Sequence, residues 1–311
     1  EPIYLLDGKL DTLIRKIQPN VILIHGISFP AFITSLFKKV KCPIFRYMHE
    51  PRMVCPGHGK FWYRSESCCN KPAGLHCLIH AHTEICAPRN PIALVSKLKN
   101  TYFEVTEGIK YYKKIIVASD YMRKEAESVG LSSNKIVKIA PPIDLHANAY
   151  NPLPSGPPRI LFVGRMSRTK GPHVLLRMLA PLLLKNTDWQ LDFVGDGLIK
   201  DECIDLAHKY GISEQTHFHG WKSGSELQSF YNRCSVVAFP TIYPEAFGGV
   251  GLEAFRCGRV VVGFDVGGVA EWLKNGVNGR LVKAGDEKGF SEAILKLLSD
   301  RVSFVEMGLR A

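Results

Sequence analysis

At 311 residues the chain is long for a single core and comfortable for two α/β domains. Its 46% hydrophobic and 22% charged residues are ordinary for a folded protein, and no run of 18 or more apolar residues occurs, so no membrane-spanning helix is expected. The formal net charge of +11 is concentrated in residues 1–150, which carry 21 Lys and Arg against 12 Asp and Glu. An anionic partner is expected on that side.

The chain opens at Glu1 on what reads as a loop, with neither an initiator Met nor a signal peptide, so it reads as truncated at its start. Residues 11–17 have helical composition, and 21–24 form an apolar strand ending at His25-Gly26. Pro30 opens a helix to residue 40, and 43–48 form a second strand ending at His49-Glu50. This alternation predicts a parallel, doubly wound sheet whose functional side chains cluster at strand ends. His49 is the first candidate, and His25, one strand earlier, is of the same kind.

Residues 51–90 break the pattern: five of the nine cysteines fall between Cys55 and Cys86, with His58, His76, His80 and His82 among them. Gly and Pro punctuation leaves little apolar periodicity, so a covalent or metal staple is expected to compensate for a small core. Three readings stand. One is structural zinc on Cys55, Cys68 or Cys69, and Cys77, with Cys86, His80 or His82 as fourth ligand. The others are disulfides, or reduced and partly buried thiols. Paired C-x-x-C knuckles are lacking.

Residues 91–112 read as helical and mixed basic-aromatic, and 114–118 as a strand. Asp120 reads as the N-cap of a helix over 121–129 closed by Gly130, followed by a strand at 135–140. Residues 144–158, with four prolines, read as a linker. The basic clusters Phe37-Lys38-Lys39 and Tyr111-Tyr112-Lys113-Lys114 fit a peripheral membrane surface or a solvated face, and neither shows a nucleic-acid module.

The alternation then restarts. A strand at 160–163 leads to Gly164-Arg165, Lys170-Gly171 and a Leu-rich helix from Pro172 to residue 184. Strands near 191–194, 216–219, 236–239 and 260–264 alternate with helices near 198–210, 225–232 and 249–257, and a last helix covers 287–299. Between Phe239 and Gly263 a Pro/Gly turn carries Glu245, and Glu253 falls one turn into the following helix. The N–H groups of Gly248, Gly249 and Val250 at that helix start can point at a diphosphate. Glu253 is placed for a ribose diol, and Glu245 is free to reach a hexose beyond the phosphates. Arg165 and Lys170 can put a bidentate fork and a point charge on the same diphosphate. Gly195, Gly197, Gly267 and Gly268 read as tight turns, with Asp196 and Glu271 structural beside them; base recognition is expected near Trp221 and Lys222.

Glu245, Phe247, Gly248 and Glu253 spell E-x-F-G-x-x-x-x-E, and ILFVGRMSRTKGPHVLL stands upstream at 160–176. With FVGDG at 193–197, VGGVAEWLKNGVNGRLV at 266–282 and Gly285-Asp286, the pattern resembles the retaining GT-B glycosyltransferases of family 4, the "group 1" enzymes. The resemblance spans the C-terminal half and, more loosely, the N-terminal half. It implies an α/β GT-B fold of two Rossmann-like, doubly wound domains facing across a cleft. Residues 1–143 would be the acceptor-binding domain, its first strand missing and the Cys-rich insertion at 51–90; 144–158 the linker; and 159–311 the nucleotide-sugar domain.

It further implies His49, Arg165, Lys170 and Glu245 as catalytic residues, with Gly164, Phe247, Gly248, Gly249, Val250 and Glu253 binding the donor. The implied reaction moves a sugar, with retention, from a nucleotide sugar to a saccharide or lipid-linked acceptor in polysaccharide- or lipopolysaccharide-type synthesis. It needs no catalytic cofactor, and its implied place is the cytoplasm, peripheral on the inner membrane face. Family members usually open with a further strand and a glycine-rich loop and close with a helix crossing back, so the chain is expected to show the site while being poorly active. A nucleotide-sugar epimerase of the same fold, which would turn over donor without acceptor, and a non-catalytic carbohydrate- or membrane-binding scaffold are the alternatives.

Overall fold

The computed structural model describes residues 7–26, 29–142 and 152–311, and the chain divides after Ala140 into two compact units. Most of the expected linker, residues 144–151, lies outside the described residues.

In the first unit, short Ile/Val-rich segments form β1 (Ile22–Ile24) and β2 (Ile44–Met48), then a two-residue hairpin of β3 (Phe61–Trp62) and β4 (Ser67–Cys68), then β5 (Lys114–Val117) and β6 (Ile136–Lys138). The main sheet runs β1-β2-β5-β6, parallel at every pairing. β2 alternates buried and half-buried residues along its length, one face turned into the core, and on that face it buries Ile44, Arg46 and Met48. Helices Asp7–Ile17, Pro30–Lys39, Pro91–Phe103 and Asp120–Glu127 connect the strands. The cap of the last of these differs from expectation. Ser119, not Asp120, is the N-cap, its hydroxyl accepting from Met122 N–H at 3.2 Å. Both residue types cap well, so only the backbone, extended at Ser119, decides between neighbours.

The Cys-rich segment builds more core than its composition suggests. Phe61 is fully buried, and Ala81, Ala87 and Leu94 form a cluster joined by Cys86 and Leu98. Its apolar residues pack through loops and one short helix, His76–Thr83, which carry no periodicity for a sequence reading to find.

The second unit holds β7 (Arg159–Val163), β8 (Gln190–Val194), β9 (Thr216–Phe218), β10 (Val236–Phe239), β11 (Val260–Asp265) and β12 (Gly279–Lys283). These run β12-β11-β10-β7-β8-β9, all parallel. The near-continuous burial of β7, β8, β10 and β11 is the pattern of a sheet covered on both faces. From β7 the chain winds outward through β8 and β9, then returns to set β10 against the other edge of β7 and winds the opposite way. The switch point of the winding therefore lies between β7 and β10.

Among the described residues no helix is long and apolar enough to cross a membrane. The base of the second sheet is closed by Arg259, fully buried ahead of β11. Its guanidinium donates to the carbonyls of Asn232 (2.7 Å), Tyr231 (2.8 Å) and Pro152 (3.2 Å), so it satisfies backbone groups that no strand reaches. Replacing Arg259 by Leu orphans these carbonyls and is expected to cost about 2–5 kcal/mol, read as a lower urea midpoint at unchanged m-value.

Candidate active site

The expected donor residues meet at the carboxyl ends of β7 and β10, where the winding of the second unit switches. After β7 the chain makes a short 3₁₀ turn, Arg168–Lys170, that ends at Gly171 and enters the helix Pro172–Lys185. After β10 it runs from Pro240 through Glu245 into the seven-residue helix Val250–Arg256.

These two loops are stitched together. Ile242 and Tyr243 N–H donate to the Thr169 carbonyl at 3.1 and 3.2 Å, and the Thr241 hydroxyl reaches the same carbonyl at 3.1 Å. Gly171 adopts φ +73°, and a Cβ there would stand 2.1 Å from the Pro240 carbonyl oxygen, so no other residue allows the approach. From the other side, Gly267 at φ +56° backs onto Glu245, where a Cβ would lie 2.2 Å from its carbonyl oxygen. The neighbouring Gly268 N–H donates to that carbonyl at 2.7 Å. The second glycine pair, expected to be turn chemistry, thus also fixes the backbone of Glu245.

Lys170 and Glu245 form an ion pair, and Glu245 Oε1 also accepts from the Thr241 hydroxyl at 2.9 Å. The expectation set Lys170 on the diphosphate and left Glu245 free. In this structure the two engage each other, because a carboxylate as buried as Glu245 (8% exposed) needs a cation close by. Arg165 is exposed, and its guanidinium makes no hydrogen bond or ion pair among the described residues. Its backbone is held on both sides: Gly164 N–H donates to the Val194 carbonyl (3.0 Å) and Met166 N–H to the Asp196 carbonyl (2.8 Å). The Gly195-Asp196-Gly197 turn therefore positions Arg165. The Gly197 N–H, more than Lys200, holds the Asp196 carboxyl below its ordinary range.

Glu253 sits inside the helix Val250–Arg256, as its position in the motif suggested, but one of its oxygens is taken. The Tyr231 hydroxyl donates to Glu253 Oε2 at 2.8 Å, which orients the carboxylate and leaves Oε1 for a ligand. Gly248, Gly249 and Val250 lead into this helix, at whose start the Leu252 and Glu253 N–H groups donate to the Gly249 carbonyl at 3.0 and 3.2 Å. The Phe247 carbonyl accepts from the Trp272 indole, whose six-membered ring also lies against Gly251. Trp221 is exposed, and Lys222, just ahead of the helix Gly224–Arg233, pairs with Glu226 in that helix at 3.5 Å.

His49 belongs to the first unit, at the end of β2. Its Nε2 meets Nδ1 of His25, and the Tyr47 ring contacts both imidazoles, centroids 5.4 Å from His25 and 4.3 Å from His49. The two histidines that the strand ends suggested are thus one pair. Desolvation, then His25 and Arg46, push the His49 imidazole below its ordinary value.

Just behind this pair lies a network that the sequence reading missed. Arg46 on β2 is buried and faces Glu104 at 3.5 Å, and Glu104 Oε2 accepts from the buried Tyr112 hydroxyl at 2.9 Å. Burial pushes the Glu104 carboxyl up, against Arg46 and the Tyr112 bond, which hold it down. The available signal was an arginine at an inward position of an apolar strand, which needs a buried partner.

All nine cysteines are free thiols. Cys55, Cys69, Cys77 and Cys86 line one cavity, yet among the described residues no group of three or more His, Cys, Asp or Glu is arranged to hold a metal ion.

Residues 147–310 match the family model of the glycosyl transferases group 1. The chain belongs to that family. A D-inositol 3-phosphate glycosyltransferase of Nocardia farcinica is 33% identical over 223 residues, 64% of this chain and 49% of the relative. An uncharacterised glycosyltransferase of Methanocaldococcus jannaschii is 36% identical over 141 residues, 45% of this chain and 36% of its own length. The chain thus spans about half the length of the Nocardia relative.

Solved structures agree on the fold. Staphylococcus aureus TarM, in a complex with fondaparinux, α-GlcNAc-glycerol and UDP, superposes with TM-score 0.73 at 16% identity over 97% of this chain and 54% of its own. Anabaena HepE, bound to UDP, gives 0.70 at 18% identity over 97% and 75%. The fold of this group 1 chain is GT-B.

The His25–His49 pair carries a direct test. In an imidazole NMR titration His49 is expected to protonate below the usual value of about 6.5. His25→Ala should move it up only part-way, since desolvation is the larger cause and stays. Because the folded state resists this proton, His49 opposes folding as pH falls below about 6.5 and not above it.

Proposed function

We propose that the chain carries the donor and acceptor units of a retaining glycosyltransferase, which moves a sugar from a nucleotide sugar to a saccharide or lipid-linked acceptor in glycan synthesis. The observation that carries this reading is the meeting of Arg165, Lys170, Glu245 and Glu253 at the switch point of the second sheet. Breaking the anomeric bond leaves negative charge on the departing diphosphate. The unpaired guanidinium of Arg165 and the ammonium of Lys170 supply fixed positive charge for it, and the Gly248, Gly249 and Val250 amides add dipoles. Glu245, released from Lys170 when phosphate oxygens take that ammonium, binds donor-sugar hydroxyls and favours positive charge at the anomeric centre. Glu253, oriented by Tyr231, accepts from the ribose. The acceptor attacks on the face the diphosphate leaves, and departing phosphate takes its proton. His49, neutral at physiological pH, bonds a sugar hydroxyl in the acceptor unit. The Nocardia relative's name, and the UDP in the TarM and HepE complexes, support a nucleotide-sugar donor.

Calorimetric titration with UDP- and GDP-sugars tests this. One nucleotide class should bind, and Arg165→Ala and Glu253→Ala should each weaken it about 10–100-fold, the loss of one charge-assisted hydrogen bond at about 1.5–3 kcal/mol. Absence of binding by a folded chain would favour the scaffold reading.

We also propose that the first unit meets an anionic membrane surface. The rings of Phe37 and Tyr111 contact at a centroid distance of 4.5 Å, which joins the two basic-aromatic clusters into one patch. Lys39 and Lys114 are engaged by Asp11 and the Asn134 carbonyl, whereas Lys38 and Lys113 remain available. Co-sedimentation with phosphatidylserine vesicles should fall steeply with salt and drop several-fold in Lys38→Glu/Lys113→Glu, with phosphatidylcholine vesicles as the blank.

A further inference from the structure

The Cys-rich segment is tied together, backbone to backbone, at its cysteines. The loop from Cys55 to Lys60 turns back through Gly59 (φ +91°) and Lys60 (φ +68°), and the N–H groups of Gly57 and Lys60 both donate to Cys55 Sγ at 3.4 Å. The same loop holds two more cysteines. His58 N–H donates to the Cys86 carbonyl and Cys69 N–H to the Lys60 carbonyl, each at 2.7 Å. Gly57 permits this closeness, since a Cβ there would stand 2.2 Å from the Cys86 carbonyl oxygen. Cys77 arrives separately, in the first turn of the helix His76–Thr83.

These four cysteines, brought from separate turns of the chain, line one cavity of about 20 Å³, room for about one water-sized body. A free cysteine inside a fold ordinarily serves as a small apolar side chain. Four on one cavity are different, because each sulfur opposes the ionisation of the others. Burial first, then Cys55, Cys69 and Cys77, push the Cys86 thiol up to about 12. Lys60, in the same wall, is already paired with Glu125 at 2.8 Å, so it does not discharge them.

As neutral thiols, no three of the sulfurs are arranged to coordinate an ion. Neutral sulfurs do not attract one another, whereas a thiophilic cation holds thiolates at about 2.3 Å and draws them inward. We propose that Cys55, Cys69, Cys77 and Cys86 bind a single divalent cation of the zinc class as a structural tetrathiolate. Four S–H bonds break and four metal–sulfur bonds form, the protons pass to solvent, and the site becomes doubly negative. The two N–H groups on Cys55 Sγ then make charge-assisted bonds to a thiolate. Cys55, Pro56 and Gly57 also line the cavity beside His49, so drawing in the sulfurs steadies that shared wall.

The test strips the whole chain with a chelator under reducing conditions and titrates it with Co²⁺, then Zn²⁺. Co²⁺ should give the intense visible bands of a tetrahedral site and a near-ultraviolet thiolate-to-cobalt charge-transfer band, both bleached by Zn²⁺. Uptake should release protons, weaken as pH falls, and shield these four thiols from dithionitrobenzoate. Cys77→Ser and Cys86→Ser should each weaken Zn²⁺ by at least about 100-fold, and Cys42→Ser, outside the cavity, should change nothing. If a serine variant fails to fold, the cobalt spectrum and thiol protection of the unaltered chain decide. A folded chain that gives no charge-transfer band with Co²⁺, Zn²⁺ affinity indifferent to Cys86→Ser, or mass spectrometry that finds these cysteines joined in disulfides in the untreated chain would each overturn the proposal.

Discussion

Parallel pairing of β7 with β10 is the constraint on which the second unit depends. Strands joined by right-handed crossovers can wind outward from a centre in only two directions. The chain uses both, so β7 and β10 stand side by side and the loops leaving their carboxyl ends meet, joined through the Thr169 carbonyl. The turns after β8 and β11 brace those two loops. The motif residues are far apart in sequence because neighbouring strands across a switch point must be.

Where those loops meet, the geometry is fixed before any ligand arrives. Lys170 and Glu245 hold each other, Gly171 and Gly267 let three backbones approach closely, and Tyr231 aims Glu253. The ion pair also keeps a buried carboxylate from standing alone, which matters more than any net stability it adds. Arg165 is the counterpart: exposed, unpaired, and held only through its backbone.

The first unit follows a different logic. Alternation along β2 turns Arg46 inward to a buried glutamate, while His49 emerges at the strand end beside His25. One strand thus supplies both the buried charge that organises the interior and a neutral imidazole at the edge of a polar cavity. The helix Pro91–Phe103 buries Leu94 and Thr101 and leaves Ile92 and Tyr102 outside.

Much of this was legible in the sequence. Apolar runs separated by Gly and Pro located strands and helices to within a few residues, the closing helix Glu287–Ser299 included, because local periodicity and turn chemistry depend on near neighbours. The spacing of Glu245, Gly248 and Glu253, with Arg165 and Lys170, pointed to the carboxyl ends of β7 and β10 for the same reason: each motif sits on one strand-to-helix turn. What required the tertiary structure is every pairing between turns. Lys170 with Glu245, Tyr231 with Glu253, His25 with His49, and Arg46 with Glu104 and Tyr112 join residues whose proximity is set by strand order and burial. The helix Pro91–Phe103 read as an ordinary basic-aromatic helix, since composition and periodicity state which residues share a face but not which face the fold buries.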